Sequence, residues 1–225
     1  MAAAREPVIL VHGLWMNGLE FGVLRHRLQA DFGFDAHVFA YSSMRGDVAQ
    51  IAAELADFAK RKVRGAEPLH LVGHSLGGAI VFRTVTGQLG DLAGKAVLLG
   101  SPLNGSRAAS NVALNTVLRP LLGEHVPLEL AQSRGRRWPG HPVRSLGAIA
   151  GTRRIGTGQF FAHFDEENDG TVAVRETQIP GLDDHLVLHH SHVGMLFAQD
   201  VAAQTAHFLR HGRFLRAEPV GERRA

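Results

Sequence analysis

Two periodicities divide the chain. Residues 8–11, Val8-Ile9-Leu10-Val11, form an unbroken apolar run near the start. That is the pattern of a strand buried on both faces. Phe21, Leu24, Leu28 and Phe32 then recur at helical spacing. Residues 35–41 read as a second strand. Val48, Ile51, Ala52, Leu55 and Phe58 make a helical stripe, with Asp47 placed to cap its start and Lys60, Arg61, Lys62 and Arg64 ahead of Gly65 at its end. Residues 69–72 predict a third strand, followed by the helical stripe Leu76, Ala79, Ile80, Val81, Thr84 and Val85, and residues 96–99 a fourth. Strands alternating with helices imply right-handed crossovers and a mostly parallel sheet covered by helices on both faces, an α/β fold.

The alternation stops after Gly100. Residues 101–143 carry glycines, prolines, arginines and one apolar stretch at 112–122, and read as an insertion over the C-terminal edge of the sheet. A fifth strand is expected at 145–150 and a short one at 186–188, making about six in all. Val193, Leu196, Phe197, Val201, Thr205 and Phe208 then share one face of a final helix, and the last dozen residues read as frayed. A chain of 225 residues is long enough for one buried core and too short for two α/β domains, so a single domain is expected.

Composition narrows the chemistry. There are no cysteines, which removes disulfides, thiolate metal sites and a cysteine nucleophile together. No apolar run approaches the roughly 18 to 20 residues of a membrane helix. Only residues 1–7 precede the first strand, too few for a secretory signal, and a cytoplasmic location is the expectation. The net charge is +3, with the densest basic stretch at Arg134, Arg136, Arg137 and Arg144 and a basic tail at Arg223 and Arg224. A solvated loop is the simpler reading than an anion-binding patch, and no aromatic residues interleave the arginines as a nucleic-acid platform requires.

The chemistry centres on Gly73-His74-Ser75-Leu76-Gly77. A Gly-x-Ser-x-Gly between an apolar strand and an apolar helix is a nucleophile elbow, a sharp turn that presents the serine hydroxyl at a strand end. A serine hydroxyl needs a base, and the base needs a carboxylate. In this kind of sheet the expected order is Ser, then Asp or Glu, then His. Asp169, in the turn Asn168-Asp169-Gly170-Thr171-Val172, is the favoured acid, with Asp165, Glu166, Glu167, Asp183 and Asp184 as rivals. The downstream histidines are His185, His189, His190, His192, His207 and His211. His192 is favoured because it lies in a loop just before the last helix. Two backbone amides would hold a developing oxyanion: Leu76, opening the elbow helix, and Leu14, in the His12-Gly13-Leu14-Trp15 loop after the first strand. His12 reads as a loop brace, and His74, inside the elbow, is set aside as a base. The cluster His185, His189, His190 and His192 with Asp183 and Asp184 is the rival reading as a zinc site, but its spacing is irregular.

Val8-Ile9-Leu10-Val11-His12-Gly13, Gly73-His74-Ser75-Leu76-Gly77-Gly78, Asn168-Asp169-Gly170-Thr171-Val172 and Ser191-His192-Val193-Gly194-Met195-Leu196, in that order, resemble the α/β-hydrolase superfamily. The likeness is greatest to its small bacterial lipases and esterases. The resemblance implies Ser75 as nucleophile, Asp169 as acid, His192 as base, and Leu14 and Leu76 as oxyanion donors; no cofactor or metal is expected. Secreted members of that branch carry signal peptides, and none is visible here. The expected activity is hydrolysis of a small-molecule or lipid carboxylic ester through an acyl-enzyme. An acyltransferase or thioesterase on the same fold, and a non-catalytic ligand-binding relative, are the alternatives. No nucleic-acid partner is expected, and contact with a membrane surface is left open. Val112, Leu114, Val117, Leu118, Leu121 and Leu122 are candidates for a lid or acyl-binding face.

Overall fold

The computed structural model describes residues 5–43, 47–62, 68–87, 89, 93–114, 133, 135–140, 144–155 and 164–216. Six strands form one parallel sheet: β1 (Pro7–Val11), β2 (Asp35–Phe39), β3 (Leu69–His74), β4 (Ala93–Leu99), β5 (Leu146–Gly151) and β6 (Asp184–Leu188), in the order β2-β1-β3-β4-β5-β6. Among the described residues five helices accompany them: α1 (Gly22–Ala30), α2 (Val48–Lys62), α3 (Leu76–Gly87), α4 (Arg107–Leu114) and α5 (Gln199–His211).

The apolar runs behave as their period requires. Successive strand side chains point to opposite faces, so Ile9 and Val11 join the core under α2 and α3, while Val8 and Leu10 join the core under α1 and α5. Residues of both faces in β1 are fully buried, which explains why the run carries no polar residue. Asp47 starts α2 by accepting the N–H groups of Ala49 and Gln50 at Oδ1.

Chain order in the sheet reverses between β1 and β3: β2 lies on one side of β1 and β3 on the other. In open parallel sheets such a switch point leaves a crevice beyond the carboxyl ends of the two strands, because the connections leaving them run in opposite directions. The loop holding Leu14 leaves β1 and the turn holding Ser75 leaves β3, so both candidates border that crevice.

Three expectations are corrected. The last amphipathic segment is two elements rather than one helix. Residues 194–197 form a 3-10 turn, Ala198 is extended (φ −83, ψ 134), and only then does α5 begin. Val193 and Phe197 are consequently exposed, while Leu196, Val201, Thr205 and Phe208 are buried. The start of the last dozen residues is not frayed. Phe214 packs on Phe208, its N–H bonds Asp184 Oδ2 at 2.8 Å, and Arg216 pairs with Asp184. Arg144 is not part of a solvated basic loop. It is buried and donates from Nη1 to the Val85 carbonyl at 2.8 Å. Arg64, Gly65, Arg134, Arg223, Arg224, Val117, Leu118, Leu121 and Leu122 lie outside the described residues, as do the side chains of Val112 and Leu114. Among the described residues no helix is long and apolar enough to cross a membrane.

Candidate active site

Ser75 is held at φ 54, a left-handed backbone rare for a residue with a side chain. The turn is enforced from both sides. The Ser75 N–H bonds the Leu99 carbonyl of β4 at 2.9 Å, and the Ser75 carbonyl accepts the Gly78 N–H at 3.0 Å as α3 begins. The helix then runs so close to β1 that a methyl on Gly77 would stand 2.1 Å from the Val11 carbonyl oxygen. The Leu76 amide opens α3, and first-turn amides have no acceptor within their own helix.

The Asn168-Asp169-Gly170 turn predicts a carboxylate at a strand end; Asp169 instead sits in the loop between β5 and β6. Its loop is closed by a single bridge from Asn168 to Ala173 and followed by a 3-10 turn over Val174–Thr177. The carboxylate is 1% exposed and fully engaged. Oδ1 accepts the N–H groups of Thr171 at 2.9 Å and Val172 at 2.7 Å, and Oδ2 lies 2.7 Å from His192 Nδ1. The His192 N–H also bonds the Asp169 carbonyl at 2.9 Å. An ionised carboxylate only accepts, so His192 in its neutral form carries its proton on Nδ1 and keeps the Nε2 lone pair free to take another.

The two halves meet through His74. Its ring packs on the His192 ring with centroids 4.6 Å apart, and its Nε2 lies 2.9 Å from the His192 carbonyl. The Leu14 loop closes on the same place: a methyl on Gly13 would lie 3.1 Å from Ser75 Cβ. His12 braces that loop, as expected. Its Nε2 accepts the Tyr41 N–H at 3.2 Å, so the proton is on Nδ1, which donates to the Gly13 carbonyl at 2.9 Å. The Tyr41 hydroxyl donates to the His12 carbonyl at 2.7 Å, and burial raises the Tyr41 phenol above its ordinary pKa. Pinning the Gly13 carbonyl turns the trans N–H of Leu14 the opposite way.

The rival residues lie elsewhere. Asp183 accepts the Leu146 N–H, Glu166 pairs with Arg107 and Arg175, and His185 bonds Thr177 Oγ1 at 2.8 Å. His189 meets Thr152, His190 meets Asp200, and the rings of His207 and His211 touch one turn apart on α5. Among the described residues no three His, Cys, Asp or Glu side chains converge as a metal site.

Sequence reasoning missed two contributors. Gly100 follows β4 at φ 53, where a methyl would stand 3.0 Å from Asp169 Oδ2 and 3.1 Å from His192 Nδ1. A strand-terminal glycine before Ser101-Pro102 was the only signal. Glu176 is buried and accepts the N–H groups of Arg107 and Ala173, tying the start of α4 to the Asp169 loop. Nothing in its local sequence separates it from solvated glutamates.

The family model described as the alpha/beta hydrolase family matches residues 8–217. The chain belongs to the alpha/beta hydrolase family. Among solved structures, this hydrolase is similar to the mature lipase BlEst2 of Bacillus licheniformis at 19% identity and a TM-score of 0.70, over 86% of this chain and 87% of that one. It is similar to the metagenomic carboxyl esterase MGS0156 at 19% identity and a TM-score of 0.66, over 85% of this chain and 66% of that one. The NocB thioesterase domain from the nocardicin cluster matches at 21% identity and a TM-score of 0.56, over 92% of this chain and 93% of that one. At such identities the likeness is one of fold. No curated protein matches the sequence.

Proposed function

We propose that this alpha/beta hydrolase cleaves carboxylic esters through Ser75, His192 and Asp169. The observation that carries the reading is the buried Asp169–His192 pair at 2.7 Å, carried on a loop bonded to the residue that precedes the strained Ser75. In this mechanism Ser75 Oγ attacks the ester carbonyl carbon while His192 Nε2 takes its proton. The Asp169 carboxylate holds the imidazole in the Nδ1–H form and stabilises its cation. The oxyanion receives hydrogen bonds from the Leu14 and Leu76 amides. Collapse of the tetrahedral intermediate expels the alcohol, which takes the proton from His192 Nε2. Water then attacks the acyl-serine with the same base.

An active-site phosphonate tests the reading. It labels Ser75 in the wild-type protein, fails on Ser75→Ala and reacts slowly with His192→Ala. Absence of labelling in the folded wild type overturns it in favour of a non-catalytic binding protein. Parallel rates on oxygen esters and thioesters of rising acyl length then separate an esterase from a thioesterase, and added alcohol reveals acyl transfer.

A further inference from the structure

We propose that His74 is a positioning residue whose Nε2–H bond to the His192 carbonyl fixes the base-bearing loop against the nucleophile turn. The proposal rests on the hydrolase reading above and deepens it.

A carbonyl oxygen only accepts, so the 2.9 Å contact assigns the His74 proton to Nε2. Three polar groups of His192 are thereby held: its N–H by the Asp169 carbonyl, its Nδ1 by Asp169 Oδ2 and its carbonyl by His74. The first two orient the ring relative to the acid. Only the third ties it to the elbow, across 118 residues of chain and one residue from Ser75. The distance between the two reacting side chains is therefore set by a bond in which neither side chain takes part.

His74 suits this task and no bulk-filling one. It is fully buried, and its Nδ1 finds no partner among the described residues, an unfavourable state that an apolar side chain would avoid. Nδ1 faces the Gly13 backbone, 3.3 Å from where a methyl there would lie. The titratable groups around the ring are His192 from the base loop and His12 from the β1 loop. Burial, and next His192, push His74 down to about 3, so it stays neutral through the working pH range. A neutral neighbour is required, because a charged ring 4.6 Å from His192 would oppose formation of the imidazolium.

Imidazole nitrogen NMR of the wild-type protein gives the first test. His74 is expected as the Nε2–H tautomer without titration from about pH 5 to 9. A proton on Nδ1, or titration in that range, overturns the proposal. The second test compares His74→Gln, whose amide reaches the Nε2 position, with His74→Leu, which has no donor. On an activated butyrate ester, His74→Leu should lose roughly 100-fold in kcat with KM within about threefold of wild type, and His74→Gln should recover most of the loss. Equal losses in the two variants, or none in His74→Leu, overturn it. A wild-type protein without Ser75-dependent turnover overturns the hydrolase reading instead, and the tautomer of His74 still decides the latch.

Discussion

Asp169 Oδ2 and His192 Nδ1 stand 2.7 Å apart while the Asp169 carbonyl accepts the His192 N–H, so one buried residue holds both the ring and the backbone of its partner. Asp169→Asn keeps the size and loses the charge. Its amide nitrogen cannot accept the Nδ1 proton, and the imidazole turns to the wrong tautomer. Ester turnover should fall ~1,000- to 10,000-fold in kcat with little change in KM. A loss under about tenfold, measured by initial rates at saturating substrate, would remove Asp169 from the mechanism.

The backbone of Ser75 predicts a trade between stability and activity. At φ 54 a side chain carries strain that glycine does not. Ser75→Gly should raise the urea-unfolding free energy by about 1 kcal/mol while abolishing turnover, and Ser75→Ala should abolish turnover without that gain. Equal stability of the two variants would show that the turn is unstrained.

Two glycines of α3 should respond oppositely to a methyl. At Gly77 it would meet the Val11 and His12 carbonyl oxygens at 2.1 and 2.5 Å, both backbone atoms that cannot rotate away. Gly77→Ala should cost about 3 kcal/mol or more, or prevent folding. Gly87, at the end of the same helix, has nothing within 4 Å, and Gly87→Ala should be neutral or stabilise by up to about 1 kcal/mol. Thermal melts of the pair test the packing of α3 against β1.

Acid should destabilise the fold before carboxylates titrate. His70 is buried, with Nδ1 accepting the Lys95 N–H at 3.0 Å, and burial followed by the Lys95 charge pushes it down to about 4; His74 falls to about 3. Both titrate near 6.5 in the unfolded chain. Below that value the unfolded state binds protons that the folded state refuses, so stability is complete above pH 6.5 and is lost as pH falls toward 4. By pH 5 each histidine should have removed roughly 2 kcal/mol. His70→Asn, whose side-chain oxygen can still accept the Lys95 N–H, should flatten the slope of urea stability between pH 7.5 and 5 by about half. An unchanged slope would mean that His70 is protonated in the folded state.

The split of the final amphipathic segment shows where periodicity stops being informative. Val193 and Phe197 share a helical face with Val201 and Phe208 on paper, yet both are exposed because Ala198 breaks the backbone between them. The His192 carbonyl just before this break bonds His74, at the end of a strand more than a hundred residues away.

By itself the sequence determined the strand–helix alternation, the elbow around Ser75 and a short set of acids and bases in workable order. These are local properties: apolar period, turn chemistry and the sharp glycine-flanked serine follow from residues within a few positions of one another. Tertiary structure alone decided that His192, among six downstream histidines, meets Asp169, that Arg144 is buried, that Gly100 must lack a side chain, and that His74 bonds the His192 loop. Hydrophobic burial is non-directional and leaves its mark on every turn of a helix. A hydrogen bond near 2.7 Å is directional and joins whichever distant loops the sheet order brings together, and no local pattern records that meeting.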